Sequence, residues 1–212
     1  MSSTENKYPF FDLSEIIPDQ DLSFNKYQPL KPLVEGNFVH ELSFEPEYSR
    51  WKRFYNGAET HGPIKLNQYF GKPLVISFYS KNWQHFGIEQ LNHLNAIQYE
   101  IKANGGNVLI ISAERDNDIA KIAWQNSLSL SFYDDDNNEL AEKFRIYSET
   151  DPVWNKFSGI DVNVPLLATF VIDTTKQIVY DDINLNFLRP ISSKDIISAV
   201  YKAALINNKQ SA

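Results

Sequence analysis

The stretch from Gly71 to Ser112 does most to restrict the fold. Leu74-Val75-Ile76-Ser77-Phe78-Tyr79 is a continuous, β-rich apolar run. A strand reads this way when both of its faces are covered, as in a sheet packed between helices. Ile88, Leu91, Leu94, Ile97 and Ile101 follow at three- and four-residue spacings, the stripe of an amphipathic helix. Asn104-Gly105-Gly106 stops that helix in the manner of a C-cap, and Asn107 to Ser112 is a second buried strand. Strand, helix and strand in this order predict two parallel strands joined by a helical crossover.

The pattern continues downstream. Ile119, Ile122 and Ala123 suit a helix opened by Asp116 or Asn117, and Leu130 to Tyr133 is a short strand. Asp134 to Asn138 is a turn and Glu139 to Phe144 a helix. Ser148 to Val164, with Pro152 and Gly159, is irregular. Ala168 to Asp173 and Gln177 to Tyr180 are strands joined by a Thr174-Thr175-Lys176 hairpin turn, and Ser192 or Ser193 caps a last helix to about Leu205. Upstream, Val34 to Ser43 is expected to hold a strand, Arg50 to Tyr55 a short helix, and Thr60-His61-Gly62-Pro63 a turn. The expected fold is therefore α/β, a three-layer sandwich around a mixed central sheet. Residues 1–33, with Pro9, Pro18, Pro29 and Pro32, form an N-terminal arm or extension, 34–205 the domain, and 206–212 a polar tail.

Composition narrows the function classes. A chain of 212 residues, 42% hydrophobic, holds one domain with a real core. Its net charge of −7 argues against a nucleic-acid partner, which needs a basic footprint. A small-molecule ligand or a protein partner fits better. The longest apolar stretch is far too short to span a bilayer, so no membrane role is expected. The polar start, Met1 to Lys7, lacks the apolar run of a signal peptide and predicts a cytoplasmic location. There is no cysteine. That excludes disulfides, thiolate zinc sites, iron–sulfur clusters and a cysteine nucleophile, and no cofactor is expected.

Four segments in order carry a resemblance. Gly71 to Tyr79 resembles the first buried strand of the alkyl hydroperoxide reductase/thiol-specific antioxidant family. It is most similar to the peroxiredoxin-like branch in which Trp-Cys-Pro-Tyr-Cys follows that strand. Here the motif reads Trp83-Gln84-His85-Phe86-Gly87, so Gln84 and Gly87 stand at the two cysteine positions. Tyr133 to Ala141 resembles the family's Ser-Asp-Pro-Asp-x-Glu-Leu-Ala turn and helix. Val164 to Asp173 resembles Leu-Pro-x-Pro-Ala-Thr-Phe-Val-Ile-Asp, whose second proline is normally cis and faces the active site; Leu167 replaces it. Tyr180 to Ile196, with Arg189, resembles the closing Asp-Tyr-x-x-Arg stretch and terminal helix. The resemblance covers about Val34 to Tyr201. It implies a thioredoxin-like, peroxiredoxin-type fold and, because members often dimerise, a homodimer.

The family reaction is attack of a thiolate on a peroxide O–O bond, with the cysteine at a helix N-terminus that lowers its pKa. Gln84 offers an amide that does not ionise, and Gly87 has no side chain. The resemblance therefore implies the scaffold without its reagent. A cis bond before Leu167 costs about 3 kcal/mol, so a trans bond is expected there, with Pro165 as the residue left to be cis in its place.

The residues also offer groups for other chemistries. His85, Glu89 and His93 lie four apart on one helix face and supply zinc-ligand or acid–base groups. That face is opposite the apolar stripe, and about 12 Å separates the outer histidines along the axis, so a solvated face is the stronger reading. Asp134 to Asn138 alternates oxygen ligands like a calcium loop but lacks its glycine and distal glutamate, which favours a turn with a helix cap. Ser80 and Tyr79 end the first strand at its carboxyl edge, where α/β folds bind ligands. Ser80, Trp83, His85, Phe86 and Arg189 are the candidate pocket residues; packing or surface pairing is the plainer account of each. Trp51, Phe54 and Tyr55 add aromatics that cover a face or contact a partner. Three functions remain. The first is a redox-inactive member that binds an unknown small molecule or protein partner. The second is an oxidoreductase working through an external thiol or cofactor. The third is a metal-dependent enzyme using His85, Glu89 and His93.

Overall fold

In the computed structural model, which describes residues 29–63, 66–185 and 191–210, the two buried runs pair as the pattern requires. After the short helix α1 (Asn67–Phe70), β3 (Leu74–Phe78) and β4 (Asn107–Ser112) are parallel, joined by the long helix α2 (Gln84–Ala103). All five residues of β3 are buried because helices and loops cover both faces. The strands named β1 (Trp51–Tyr55), β2 (Ala58–Glu59), β5 (Ser131–Asp134), β6 (Ala168–Ile172) and β7 (Ile178–Ile183) complete a seven-stranded mixed sheet in the order β2-β1-β5-β4-β3-β6-β7. β4 and β5 are parallel, whereas β6 runs antiparallel to both β3 and β7.

Alternate residues of the central strands feed two cores, as the two-residue strand period dictates. Val75, Val108, Ile110 and Val171 pack under α2, α3 (Asp116–Gln125) and α5 (Ser193–Gln210). Leu74, Ile76, Phe78, Leu109 and Phe170 face the other way, onto α4 (Glu139–Lys143), Phe144, and the segments around Leu42, Phe44, Val153 and Leu166. The α2 C-terminus closes as a glycine cap: Gly105 takes φ +87°, and the Gly106 N–H donates to Ile101 O at 3.0 Å. A Cβ at Gly106 would stand 2.6 Å from Val200, so this glycine also lets α5 approach.

Two upstream expectations are corrected. Residues 51–55 are not a helix but strand β1, preceded by a 3-10 turn at Tyr48–Arg50. Trp51 and Phe54 are spaced like one helical stripe, yet in the strand they enter opposite cores. Three-residue spacing fits both, and pairing with β5 decides it. Val34 to Ser43 is not a strand. The Glu35-Gly36-Asn37 turn, with Gly36 at φ +92°, interrupts it and leaves an isolated bridge between Phe38 and Gln177. The segment still covers one end of the β7 edge through Gly36 N–H to Ile178 O (2.8 Å) and Ile178 N–H to Asn37 O (2.8 Å). The last helix also runs past Leu205 to Gln210. Of the N-terminal arm, residues 1–28 lie outside the described residues, as do 211–212 of the tail. Among the described residues, no helix is long and apolar enough to cross a membrane.

Candidate functional site

The carboxyl ends of β3 and β4 and the start of α2 meet at one place. Ser80 leaves β3 and accepts the Asn82 N–H, which starts the 3-10 turn Lys81–Trp83 leading into α2. The buried Ser80 hydroxyl donates to the Glu114 carboxylate at 2.9 Å, which also accepts the Lys81 N–H at 2.8 Å. Lys81 reaches both Glu114 (3.3 Å) and Asp118 (2.7 Å). Glu114 thus clamps the β3 exit to the β4 exit, and Ser80 is a structural anchor inside that clamp. Burial, reinforced by the Glu114 and Asp118 charges, pushes the Tyr79 phenol far up and keeps it protonated.

Trp83 is buried, donates its indole N–H to Pro165 O at 2.8 Å, and meets Phe157 edge-to-face at 5.2 Å. It ties the start of α2 to the loop before β6. Leu167 is buried in the core, and its carbonyl accepts the Asn184 N–H. No peptide bond among the described residues is cis, so the suggestion of a cis Pro165 is corrected and both bonds before Pro165 and Leu167 are trans. Gln84 is exposed and takes φ 51°, ψ −130°, a conformation that side chains bearing a Cβ disfavour.

Gly87 sits in the first turn of α2 and is buried. A Cβ there would lie 3.0 Å from the Tyr79 ring, 3.1 Å from Ser80 O and 3.3 Å from Trp83 Cβ. The position lacks a thiol, and a side chain there would press its neighbours by a few tenths of an ångström.

In front of this closed position lies a cleft of about 410 Å³. Asn82 and Trp83 line it from the 3-10 turn, Gln84 and Phe86 from the start of α2, and Lys156, Phe157, Ser158, Gly159 and Ile160 from the loop after the Val153–Asn155 turn. Trp83 and Phe86 belong to this cleft; Ser80 does not line it. His85 is exposed and stacks against Phe86, with ring centroids 3.8 Å apart. Arg189 lies outside the described residues. Lys156 and Phe157 were not legible as cleft residues, because the irregular stretch that carries them has no periodicity to read. Its one cue was the Pro152 and Gly159 pair that marks a loop.

The helix face expected to bind metal is divided. His85 and Glu89 are exposed, whereas His93 is half-buried and its Nε2 lies 2.8 Å from the Ser193 hydroxyl of α5. Among the described residues, no three histidine or carboxylate groups are gathered closely enough to hold an ion. In the Asp134–Asn138 loop, the buried Asp135 carboxylate accepts the Leu140 N–H (3.0 Å) and Ala141 N–H (3.1 Å) at the start of α4, so it acts as a helix cap. Between β3 and α2, Ser77, Thr169 and Gln90 form a buried hydrogen-bonded trio.

The family model for AhpC/TSA matches residues 50–181. No curated protein matches the chain. Among solved structures, Enterococcus faecalis AhpC is similar at TM-score 0.59 and 13% identity, over 86% of this chain and 98% of that one. A cysteine-to-serine variant of Xylella fastidiosa PrxQ is similar at TM-score 0.56 and 15% identity, over 79% and 95%. Reduced Plasmodium vivax 2-Cys peroxiredoxin is similar at TM-score 0.56 and 14% identity, over 85% and 86%. At these identities the likeness speaks to fold, which is thioredoxin-like of the peroxiredoxin type.

Proposed function

The chain belongs to the AhpC/TSA family, and from that premise we propose that it has left thiol chemistry and works by binding a small molecule or a protein partner. The observation that carries this is at Gly87: the chain holds no cysteine, and a side chain at this position would meet three neighbours at 3.0 to 3.3 Å. The cleft beside it supports a binding role, being open and walled by rings. A homodimer belongs to the same proposal. Trp124 (70% exposed) and Tyr55 (66% exposed) both lie beside the Asn56–Gly57 turn at the β2 edge, a natural contact surface for a second copy.

The test is peroxide consumption. Purified protein with hydrogen peroxide or an organic peroxide and a dithiol reductant is expected to show no turnover above a heat-denatured control. Reproducible turnover that tracks the folded protein would falsify the reading and would favour an oxidoreductase using the external thiol.

A further inference from the structure

The outer wall of the cleft is tied to residues that precede the sheet by a long stretch of sequence. Lys156 to Ile160 form that wall and belong to the connection between α4 and β6. Asn163 closes this connection on itself. Its side-chain N–H donates to Ser148 O at 3.0 Å, and its side-chain oxygen accepts the Val153 N–H at 3.1 Å. Between these points sits Asp151, wholly buried. Its Oδ2 accepts the Leu30 N–H at 2.7 Å, across 121 residues of sequence, and pairs with the Lys156 ammonium. Leu30 is half-buried against the core, and the Leu33 N–H donates to Phe144 O at 3.1 Å. On its other side the wall meets α2 through Phe157 against Trp83. The wall is therefore held on α2 by a ring contact and on residues 30–33 by a buried carboxylate.

A carboxylate in that position couples its partners. Removing one partner of a buried ion pair leaves a charge that water does not reach, which disturbs everything bonded to it. We propose that the base of the N-terminal arm, at Leu30, sets the outer wall of the cleft through Asp151, so that loosening the arm and loosening the wall are one coupled event. The proposal rests on the reading that the cleft is a binding site, and it supplies that site's regulation. A ligand that favours one position of the wall must, by reciprocity, favour one state of the arm.

The test is amide hydrogen exchange, followed by NMR on the full chain without ligand. Three places are read. One is the Leu30 N–H, bonded to Asp151, and another is the Phe157 N–H, bonded to Val153 O at 3.1 Å. The third is β3, whose amides open only with the whole sheet and so report any general loss of stability. Lys156→Gln disturbs the wall and should speed exchange at Leu30 by about tenfold relative to β3. Leu30→Pro removes the donor on the arm and should speed exchange at Phe157 by about tenfold relative to β3. Should L30P fail to fold, K156Q decides alone, since the Lys156 side chain is partly exposed. Acceleration confined to the substituted segment, or no larger than that in β3, would overturn the proposal. The peroxide assay is independent of this one. Turnover there sinks the no-thiol reading and leaves the coupling standing, whereas uncoupled exchange sinks the coupling alone.

Discussion

At the scale of single residues, Gly87 separates two effects that are easily confused. In an exposed helix, replacing glycine by alanine stabilises by about 1 kcal/mol through propensity. Here the new methyl group would press on the buried Tyr79 ring, the Ser80 carbonyl and the Trp83 Cβ. Overpacking of this kind costs about 1–3 kcal/mol, set against that gain of about 1 kcal/mol. Gly87→Ala should therefore bring no gain in stability and a loss of up to about 2 kcal/mol in denaturant titration. An increase would show that the neighbours give way and that the position is not sealed. The loss of the thiol is plain in the residue list, since no arrangement of Gln84 and Gly87 supplies a nucleophile. The sealing was not legible, because it depends on a ring and a carbonyl that arrive from β3 and the turn after it.

At the scale of elements, the helix α2 is held at its start and at its middle by other parts of the chain. Trp83 ties its start to the loop before β6, and His93 ties its middle to Ser193 at the start of α5. Burial holds the His93 pKa below the ordinary imidazole value. Above about pH 6.5 the ring is neutral both folded and unfolded and contributes no pH dependence. Below that, the unfolded chain takes up a proton that the native ring refuses, so stability falls until the lowered native pKa is reached. His93→Gln should remove this part of the slope. Denaturant titrations at about pH 7.5 and about pH 5.5 should show a smaller loss for H93Q than for the parent, and equal losses would dissolve the argument. The elements themselves were legible to differing degrees. α2, β3 and β4 are long, periodic or continuously apolar, so local pattern and tertiary role agree. β1 reads as a helix from sequence because Trp51 and Phe54 are three apart, a spacing that serves one helix face or two strand faces. Only the bonds to Ser131, Phe132 and Tyr133 choose between them.

At the scale of the whole molecule, β7 and β2 are the sheet's two edges. Part of β7 is covered by residues 36–39, whereas β2 is two residues long and exposed. Short edge strands resist open-ended pairing, so contact with a second copy is expected through the side chains beside this edge, Tyr55 and Trp124. Light scattering on a sizing column should give the mass of two chains, and Trp124→Glu should give the mass of one. A monomeric parent at every concentration tested would remove the homodimer.

The sequence by itself determined which chemistry is missing and which sheet-and-helix order is built. Both follow from local facts, namely the residue types present and the two periods of burial. Only the tertiary structure decided what stands where the thiol would be. The absence of cysteine implies a scaffold without its reagent. In the folded chain Tyr79, Ser80 and Trp83 pack closely around Gly87, and an aromatic cleft lies between α2 and the Lys156–Ile160 loop. Those residues lie far apart in the chain and have no shared period. Their meeting depends on where the sheet carries the loop before β6, which no local pattern encodes.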